Sequence, residues 1–266
     1  MNGDRRGFTL IELLVVTVLG AIVLLASLQV LITNQRTYTA ENAQIGGQQA
    51  TRAAYDILFS ELRELSARGG DIISMSSTSI TVRSMRNFGV ACAVAPATPT
   101  VTVLKVGNWF AVGDSVFVFA DKRENISSDD VWIRASVTAV DTTVACGASQ
   151  GVRLTFTGQT ALFAADSVRV GAPVRSYLRY TYSLITESGQ TYLGRTPAGG
   201  SAAPMVGPLK ASTGIEFTYL DSLGAVTATT TNVRQIRVKI RTESAVRNAR
   251  GQLVRDSLTG RIYTRN

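Results

Sequence analysis

The feature that most constrains this chain is an uncharged run of 23 residues from Leu13 to Gln35. Most of its members are Leu, Val, Ile or Ala. As an α-helix rising about 1.5 Å per residue, the run extends roughly 35 Å, enough to cross a bilayer core of about 30 Å. Arg5 and Arg6 precede it, and basic residues favour the cytoplasmic side of a membrane. The pattern predicts a transmembrane helix over about 10–35, with the rest of the chain exported.

Three ordinary kinds of apolar segment compete with this interpretation. A secretory signal peptide has an apolar stretch of about 7–15 residues followed by a small-residue cleavage site, and this run is longer and lacks such a site. A plain single-pass anchor fits the length but gives no reason for Glu12 at the head of the run. A buried core helix is rarely apolar on all sides for about six turns. None of the three explains the order of residues at the start of the run.

That order, from Arg5 to Val16, is Arg-Arg-Gly-Phe-Thr-Leu-Ile-Glu-Leu-Leu-Val-Val. A basic leader, a glycine, an aromatic residue, an acid and an apolar run follow one another at fixed spacing. The order resembles the class III signal of type IV prepilins and type II secretion pseudopilins. In that family a membrane aspartyl peptidase cuts after the glycine, and the new N-terminus is methylated. The resemblance implies a leader over 1–7, cleavage between Gly7 and Phe8, and N-methylation of Phe8.

The residue types at this junction suit such processing. Gly7 has no side chain, so the catalytic groups of a peptidase can come close to an extended backbone. Glu12 places a carboxylate in or near the apolar layer, at a cost of about 2.5–3.5 kcal/mol if it is unpaired. The freed amine of Phe8 on a neighbouring subunit is a natural partner, so Glu12 is expected to set the register between subunits. The alternative is that Glu12 simply lies among the lipid headgroups.

Helical spacing continues after the membrane run. Apolar residues recur every three to four positions between 54 and 65, and Arg68 with two following glycines is a stop signal. The pattern predicts a helix over 8–68 whose amphipathic second half packs on the body. Gly46 and Gly47 are a predicted weak point. Many major pilins carry a proline that kinks this helix, and this chain has none there.

Beyond Gly70 the apolar period changes to two, which indicates β-strands. Strands predicted at 176–185 and 191–195 form a hairpin, and apolar and basic residues alternate over 236–241. The predicted fold class is therefore α+β, a long N-terminal helix packed on an antiparallel β-rich body over 71–266. Residues 88–170 are predicted to form an inserted subdomain.

The two cysteines, Cys92 and Cys146, both lie in that predicted subdomain. Because an exported body enters an oxidising compartment, a disulfide between them is expected, with two free buried thiols as the alternative. The absence of histidine excludes a Ser-His-Asp triad and every histidine-containing metal site, and two cysteines are too few for a cysteine-only zinc site. No cofactor is predicted. The chain is expected to be a peptidase substrate rather than an enzyme.

One acidic group has the residue types of a calcium site. Some pseudopilins bind calcium in a loop, so the resemblance makes Asp121, Asp129 and Asp130 candidate ligands. Their spacing matches no EF-hand, and Lys122 and Arg123 lie among the acids. A solvated hairpin tip is the favoured interpretation, and no metal is predicted.

The net charge of +8 is concentrated near the C-terminal end. Residues 234–266 hold nine Arg or Lys against two acids, a net charge of +7. Residues 243–266 are predicted to be a basic tail, and a solvated strand face followed by a polar tail is the simpler interpretation of this charge. Candidate contacts with an acidic partner or DNA are Arg247, Arg250, Arg255 and Arg261.

The size of the body extends the resemblance to W-type minor pilins or J-type pseudopilins, since major subunits of the family are usually shorter. It implies a structural subunit that initiates or caps a type IV pilus or a type II secretion pseudopilus. Its partners would be other pilin or pseudopilin subunits, the prepilin peptidase and methyltransferase, the inner-membrane assembly platform and the lipid bilayer. The body would lie in the periplasm and then on a filament. A competence-type pilin that binds nucleic acid through the basic end is the alternative.

Overall fold

The computed structural model describes residues 9–95, 97–104, 107, 109–123, 125–126, 129–158, 163, 168–248 and 250–265. One long helix packs on two antiparallel sheets, which is the predicted α+β class. In chain order the elements are α1 (Leu10–Leu62), β1 (Ile72–Met75), β2 (Ser79–Ala95), β3 (Thr100–Leu104), β4 (Ser115–Ala120), β5 (Val131–Asp141), β6 (Ala145–Cys146), β7 (Ser149–Gly158), β8 (Pro173–Glu187), β9 (Gln190–Pro197), β10 (Ala203–Leu209), β11 (Ile215–Leu220), β12 (Gln235–Arg247) and β13 (Leu253–Tyr263).

Helix α1 is one element of 53 residues. Its first half is exposed and is called the bare half below, and its second half packs on the body. Its buried residues are Ala50, Thr51, Ala54, Leu58 and Leu62. The prediction of a weak point at Gly46 and Gly47 is wrong, because the helix runs through both. A β-carbon on Gly47 would lie 2.9 Å from Oγ1 of Thr242, so this glycine allows β12 to approach the helix closely.

The helix ends at Leu62, six residues before its predicted end. The backbone N–H of Ser66 donates to Oδ2 of Asp71 at 2.8 Å instead of to a carbonyl one turn back. The chain then turns inward, and Leu65 and Ala67 join the core at 2% and 1% exposure. The Asp71 carboxylate therefore takes a backbone hydrogen bond that would otherwise continue the helix, and α1 ends earlier than its apolar pattern predicts.

Six strands of the larger sheet close into a ring. Hydrogen-bonded neighbours follow the order β2, β3, β7, β5, β4 and β8, and β8 pairs with β2 again. Its interior is filled by apolar side chains that all lie between 91 and 174, most of them in the region predicted as an inserted subdomain. The ring is nevertheless continuous with the rest of the body, because β2 and β8 also extend beyond it. Closure leaves this part of the sheet without an exposed edge.

A disulfide joins Cys92 in β2 to Cys146 in β6, 54 residues along the chain, which confirms the predicted pairing. Strand β6 pairs with β7 alone among the described strands. The bridge therefore fastens a short hairpin to the wall of the ring. A closed loop of this length restricts the unfolded chain and stabilises the fold by about 2–4 kcal/mol.

A second core lies where α1 meets the three-stranded sheet β11-β12-β13. Ile236, Val238 and Ile240 of β12 are fully buried and share this core with Leu58 and Leu62 of the helix. The basic residues between them on β12 are only partly buried. The alternation predicted over 236–241 is therefore confirmed.

The prediction of a basic tail over 243–266 is wrong. Strand β13 pairs antiparallel with β12 along most of its length. Ile262 is fully buried, and a β-carbon on Gly260 would overlap the ring of Tyr55. Packing of a tyrosine ring from α1 on a bare glycine holds β13 against the helix.

Candidate functional site

The first half of α1 presents apolar side chains to its surroundings over its whole circumference. Large apolar residues from Leu10 to Ile32 are between 47% and 83% exposed. Within the described part of the chain, α1 is the one helix long and apolar enough to cross a membrane, with a mean hydropathy of 2.6 over its most apolar window. None of that window is buried. The predicted membrane span over about 10–35 lies entirely in this exposed half. It is separate from the second half of α1, which attaches the helix to the body.

Helix α1 starts at a capping box that joins Thr9 and Glu12. Oε2 of Glu12 accepts hydrogen bonds from the backbone N–H and the hydroxyl of Thr9, each at 3.0 Å. The backbone N–H of Glu12 donates in return to Oγ1 of Thr9 at 3.3 Å. This role was not predicted from the sequence, although a threonine three residues before a glutamate at the head of an apolar run is its usual signal. Glu12 therefore has a local partner in addition to any partner on another subunit.

The predicted leader and processing residues, Arg5, Arg6, Gly7 and Phe8, lie outside the described residues. Residues 2–28 match the prokaryotic N-terminal methylation motif. The chain carries the class III signal of type IV pilins. The motif implies processing by a prepilin peptidase and assembly with other pilins, and it belongs to structural subunits rather than to an enzyme family. A search of curated proteins found no match to the chain.

The matched segment joins the processing signal to the exposed helix. It covers the junction, Glu12 and most of the bare half of α1. An apolar helix behind this motif fits a membrane anchor that carries the body outside the cytoplasm. The site thus consists of a short signal, an exposed apolar helix long enough to cross a membrane, and the second half of that helix packed in the protein core.

The four arginine candidates fall in two separate places. Arg247 ends β12 and Arg250 lies in the turn after it, whereas Arg255 and Arg261 lie in β13. Nε of Arg255 donates to Oε2 of Glu243 at 2.6 Å. This hydrogen bond lowers the pKa of the Glu243 carboxyl, so the carboxylate stays charged at neutral pH and offsets that arginine.

The face of the smaller sheet that is turned away from α1 carries further basic residues of β12 and β13. Arg237 of β12 lies opposite Arg261 of β13, and neither has an ion-pair partner among the residues that the structure describes. Arg241 does have one, since its Nη2 donates to Oε2 of Glu216 at 2.6 Å. The bond lowers the pKa of Glu216. The face is therefore positive through Arg237 and Arg261 together with Lys239, which lies on the same side of β12 and opposite Glu216.

The predicted acidic group does not gather into a cage of oxygens. Nε of Arg123 donates to Oδ2 of Asp129 at 2.6 Å. Over the described positions, no three His, Cys, Asp or Glu side chains are placed to hold a metal ion together. Asp121 directly follows β4, and Asp130 directly precedes β5. Asp129 is therefore neutralised by an arginine that precedes it in the chain.

Sequence reasoning also missed a buried ion pair that fixes the end of α1. Nη1 and Nη2 of Arg175 each donate to a different carboxylate oxygen of Asp71 at 3.0 Å. The side chains of Arg175 and Asp71 are 6% and 2% exposed. The guanidinium also lies 4.8 Å from the ring centre of Phe117 and 4.6 Å from that of Trp132. The pair joins the segment after the helix to the strands of the ring.

Proposed function

We propose that this chain is a minor pilin or pseudopilin that initiates or caps a type IV pilus or a type II secretion pseudopilus. It is inserted in the inner membrane, cut after Gly7, methylated at Phe8 and assembled through α1. The observation that carries the proposal is the class III signal directly followed by a helix that is bare in its first half and anchored in its second. The body would occupy the periplasm and then the filament surface.

The bare half of α1 needs an apolar environment, and a filament core supplies one. Lipid tails and neighbouring helices are similarly apolar, so transfer from one to the other depends on packing and on paired polar groups rather than on hydrophobicity. Along the membrane run, the polar side chains Thr17, Ser27 and Thr33 bond to carbonyls of their own helix. This leaves Glu12 as the charged group available to select a neighbour.

Processing is the direct test. With a prepilin peptidase co-expressed, the N-terminus of the wild-type chain is expected at Phe8 with one added methyl group, because glycine lets the peptidase reach the backbone. Gly7→Leu is expected to leave the leader attached. Gly20→Leu is the matched control, because nothing lies within 4 Å of a β-carbon at Gly20, and it is expected to be cut normally. Mass spectrometry of the N-terminal peptide measures all three.

Cutting of Gly7→Leu at the wild-type rate, or cutting at another bond, would contradict the processing step. A separate result would contradict the role of a minor subunit. Long uniform fibres formed by the purified, processed chain alone would identify a major subunit instead.

A second candidate function, DNA binding, is favoured by the unneutralised Arg237 and Arg261 pair. If duplex DNA binds this face, affinity falls steeply with salt as counterions are released. Arg237→Gln combined with Arg261→Gln is then expected to reduce the slope of log affinity against log salt by about 2, close to 0.9 per phosphate contact. Fluorescence anisotropy with the detergent-solubilised chain measures this slope. Arg68→Gln combined with Arg179→Gln removes the same charge from other surfaces, and it is expected to leave the salt slope unchanged.

A further inference from the structure

The β12–β13 hairpin runs along α1 toward the membrane half of the helix. Near the start of this path the hydroxyl of Tyr55 donates to the carbonyl of Arg261 at 3.2 Å. One turn earlier on the helix, the hydroxyl of Thr51 donates to Oδ2 of Asp256 at 3.1 Å. The contacts thus move toward the N-terminus of α1 as β13 is followed back to the turn.

The turn of this hairpin lies beside the first residues after the apolar run. A cleft between the two is lined by Thr37 and Glu41 of α1 and by Arg247, Asn248 and Gly251 of the turn. Thr37 is two residues past the end of the apolar run, a rise of about 3 Å. Each headgroup layer of a bilayer is roughly 5–7 Å deep. Glu41 is six residues past the end of the run, a rise of about 9 Å. With α1 across the membrane, the cleft and the turn therefore lie at the headgroups and just beyond them.

The turn is preformed and basic. The side-chain oxygen of Asn248 accepts the backbone N–H groups of Arg250 and Gln252, each at 3.0 Å. Nη1 of Arg247 donates to the carbonyl of Gly251 at 2.6 Å. Residues 244–254 contain two arginines and no acid. The side chain of Arg250 is exposed, and this turn presents it without an ion-pair partner among the described residues.

We propose that the β12–β13 turn binds anionic lipid headgroups while α1 spans the membrane, and so holds the body in one orientation on the bilayer. A guanidinium group suits the phosphodiester of a lipid because it donates two parallel hydrogen bonds. Each arginine near an anionic surface raises association about 5-fold, so the two together contribute roughly 25-fold. Duplex DNA offers the same phosphodiester, but the position of the turn beside the apolar run selects the lipid surface. The proposal rests on the membrane anchor and not on the filament role.

The test uses the full chain reconstituted in vesicles. Because both native cysteines are bridged, Gln252→Cys supplies one free thiol for a fluorophore at the turn. Quenching by a nitroxide on lipid headgroups reports contact. We expect strong quenching in vesicles of phosphatidylglycerol with phosphatidylcholine, and weak quenching in phosphatidylcholine alone or at high salt.

Two variants separate charge from turn shape. Arg250→Gln keeps the hydrogen bonds of the turn and is expected to lower the ratio of docked to free turns about 5-fold. Arg247→Gln with Arg250→Gln is expected to lower it about 25-fold. Arg68→Gln with Arg179→Gln removes the same charge on other surfaces of the body and is expected to have no effect.

Equal quenching in both lipid mixtures, or unchanged quenching in Arg250→Gln, would overturn the proposal. A DNA arm is run with the same proteins. If the double variant at the turn loses binding to duplex DNA while its quenching stays at the wild-type level, the turn is a DNA contact and the lipid proposal is wrong. Protease protection of α1 is measured in each sample, so that failed insertion is separated from failed docking.

Discussion

Arg175→Ala is expected to lower the free energy of unfolding of the body by about 3–5 kcal/mol, the cost of leaving one charge of a buried pair without its partner. Asp71 is 1% exposed, so water cannot replace the two lost hydrogen bonds. The change also removes the group stacked on Phe117 and Trp132. Urea unfolding of the detergent-solubilised chain, followed by tryptophan fluorescence, measures the effect.

A matched pair of controls identifies burial of the charge as the cause. Asp71→Asn combined with Arg175→Met removes both charges at similar volume and is expected to cost clearly less than Arg175→Ala. Arg153→Ala breaks an exposed ion pair in which Nη1 of Arg153 lies 3.9 Å from Oδ2 of Asp141. This change is expected to lower the free energy of unfolding by less than about 1 kcal/mol. A double variant as unstable as Arg175→Ala would show that lost packing, not the unpaired carboxylate, dominates.

The parts of the fold that follow from short-range patterns could be predicted. The apolar run gives α1, and alternation gives β12. The hairpin predicted between 176–185 and 191–195 is confirmed as β8 and β9. Its two-residue turn has positive φ at both Ser188 (50°) and Gly189 (76°), as this kind of hairpin requires.

The parts that depend on distant contacts could not be predicted. Asp71 and Arg175 are 104 residues apart, and neither stands in a pattern that indicates a partner. Strand β13 turns Asp256 and Gly260 toward α1, where a buried strand usually has large apolar residues. The hydrogen bond from Thr51 to Asp256 and the ring of Tyr55 packed on Gly260 explain its position, and both depend on residues about 200 positions away. Closure of the ring likewise depends on the pairing of β2 with β8, which no local period encodes.

The same distinction between local and distant partners applies to Glu12, which has a local one in the capping box. Glu12→Gln is expected to lower the amount of this subunit in filaments about 100-fold. The amide keeps the oxygen that the capping box needs, but the charge is gone, and the amine of Phe8 on the next subunit is then unpaired in an apolar layer. An unpaired charge there costs about 2.5–3.5 kcal/mol, and each 1.4 kcal/mol is about tenfold.

Thr9→Ala makes the reverse change, since it removes the hydroxyl from the capping box and leaves the carboxylate charged. Loss of an N-cap weakens a helix by about 0.5–2 kcal/mol, and lipid holds this helix in place, so incorporation is expected to stay within a few-fold of wild type. The readout is the ratio of subunit in sheared filaments to subunit in membranes. Normal incorporation of Glu12→Gln together with a loss in Thr9→Ala would mean that Glu12 serves the start of its own helix. In that case the register between subunits must come from the apolar faces of α1 alone.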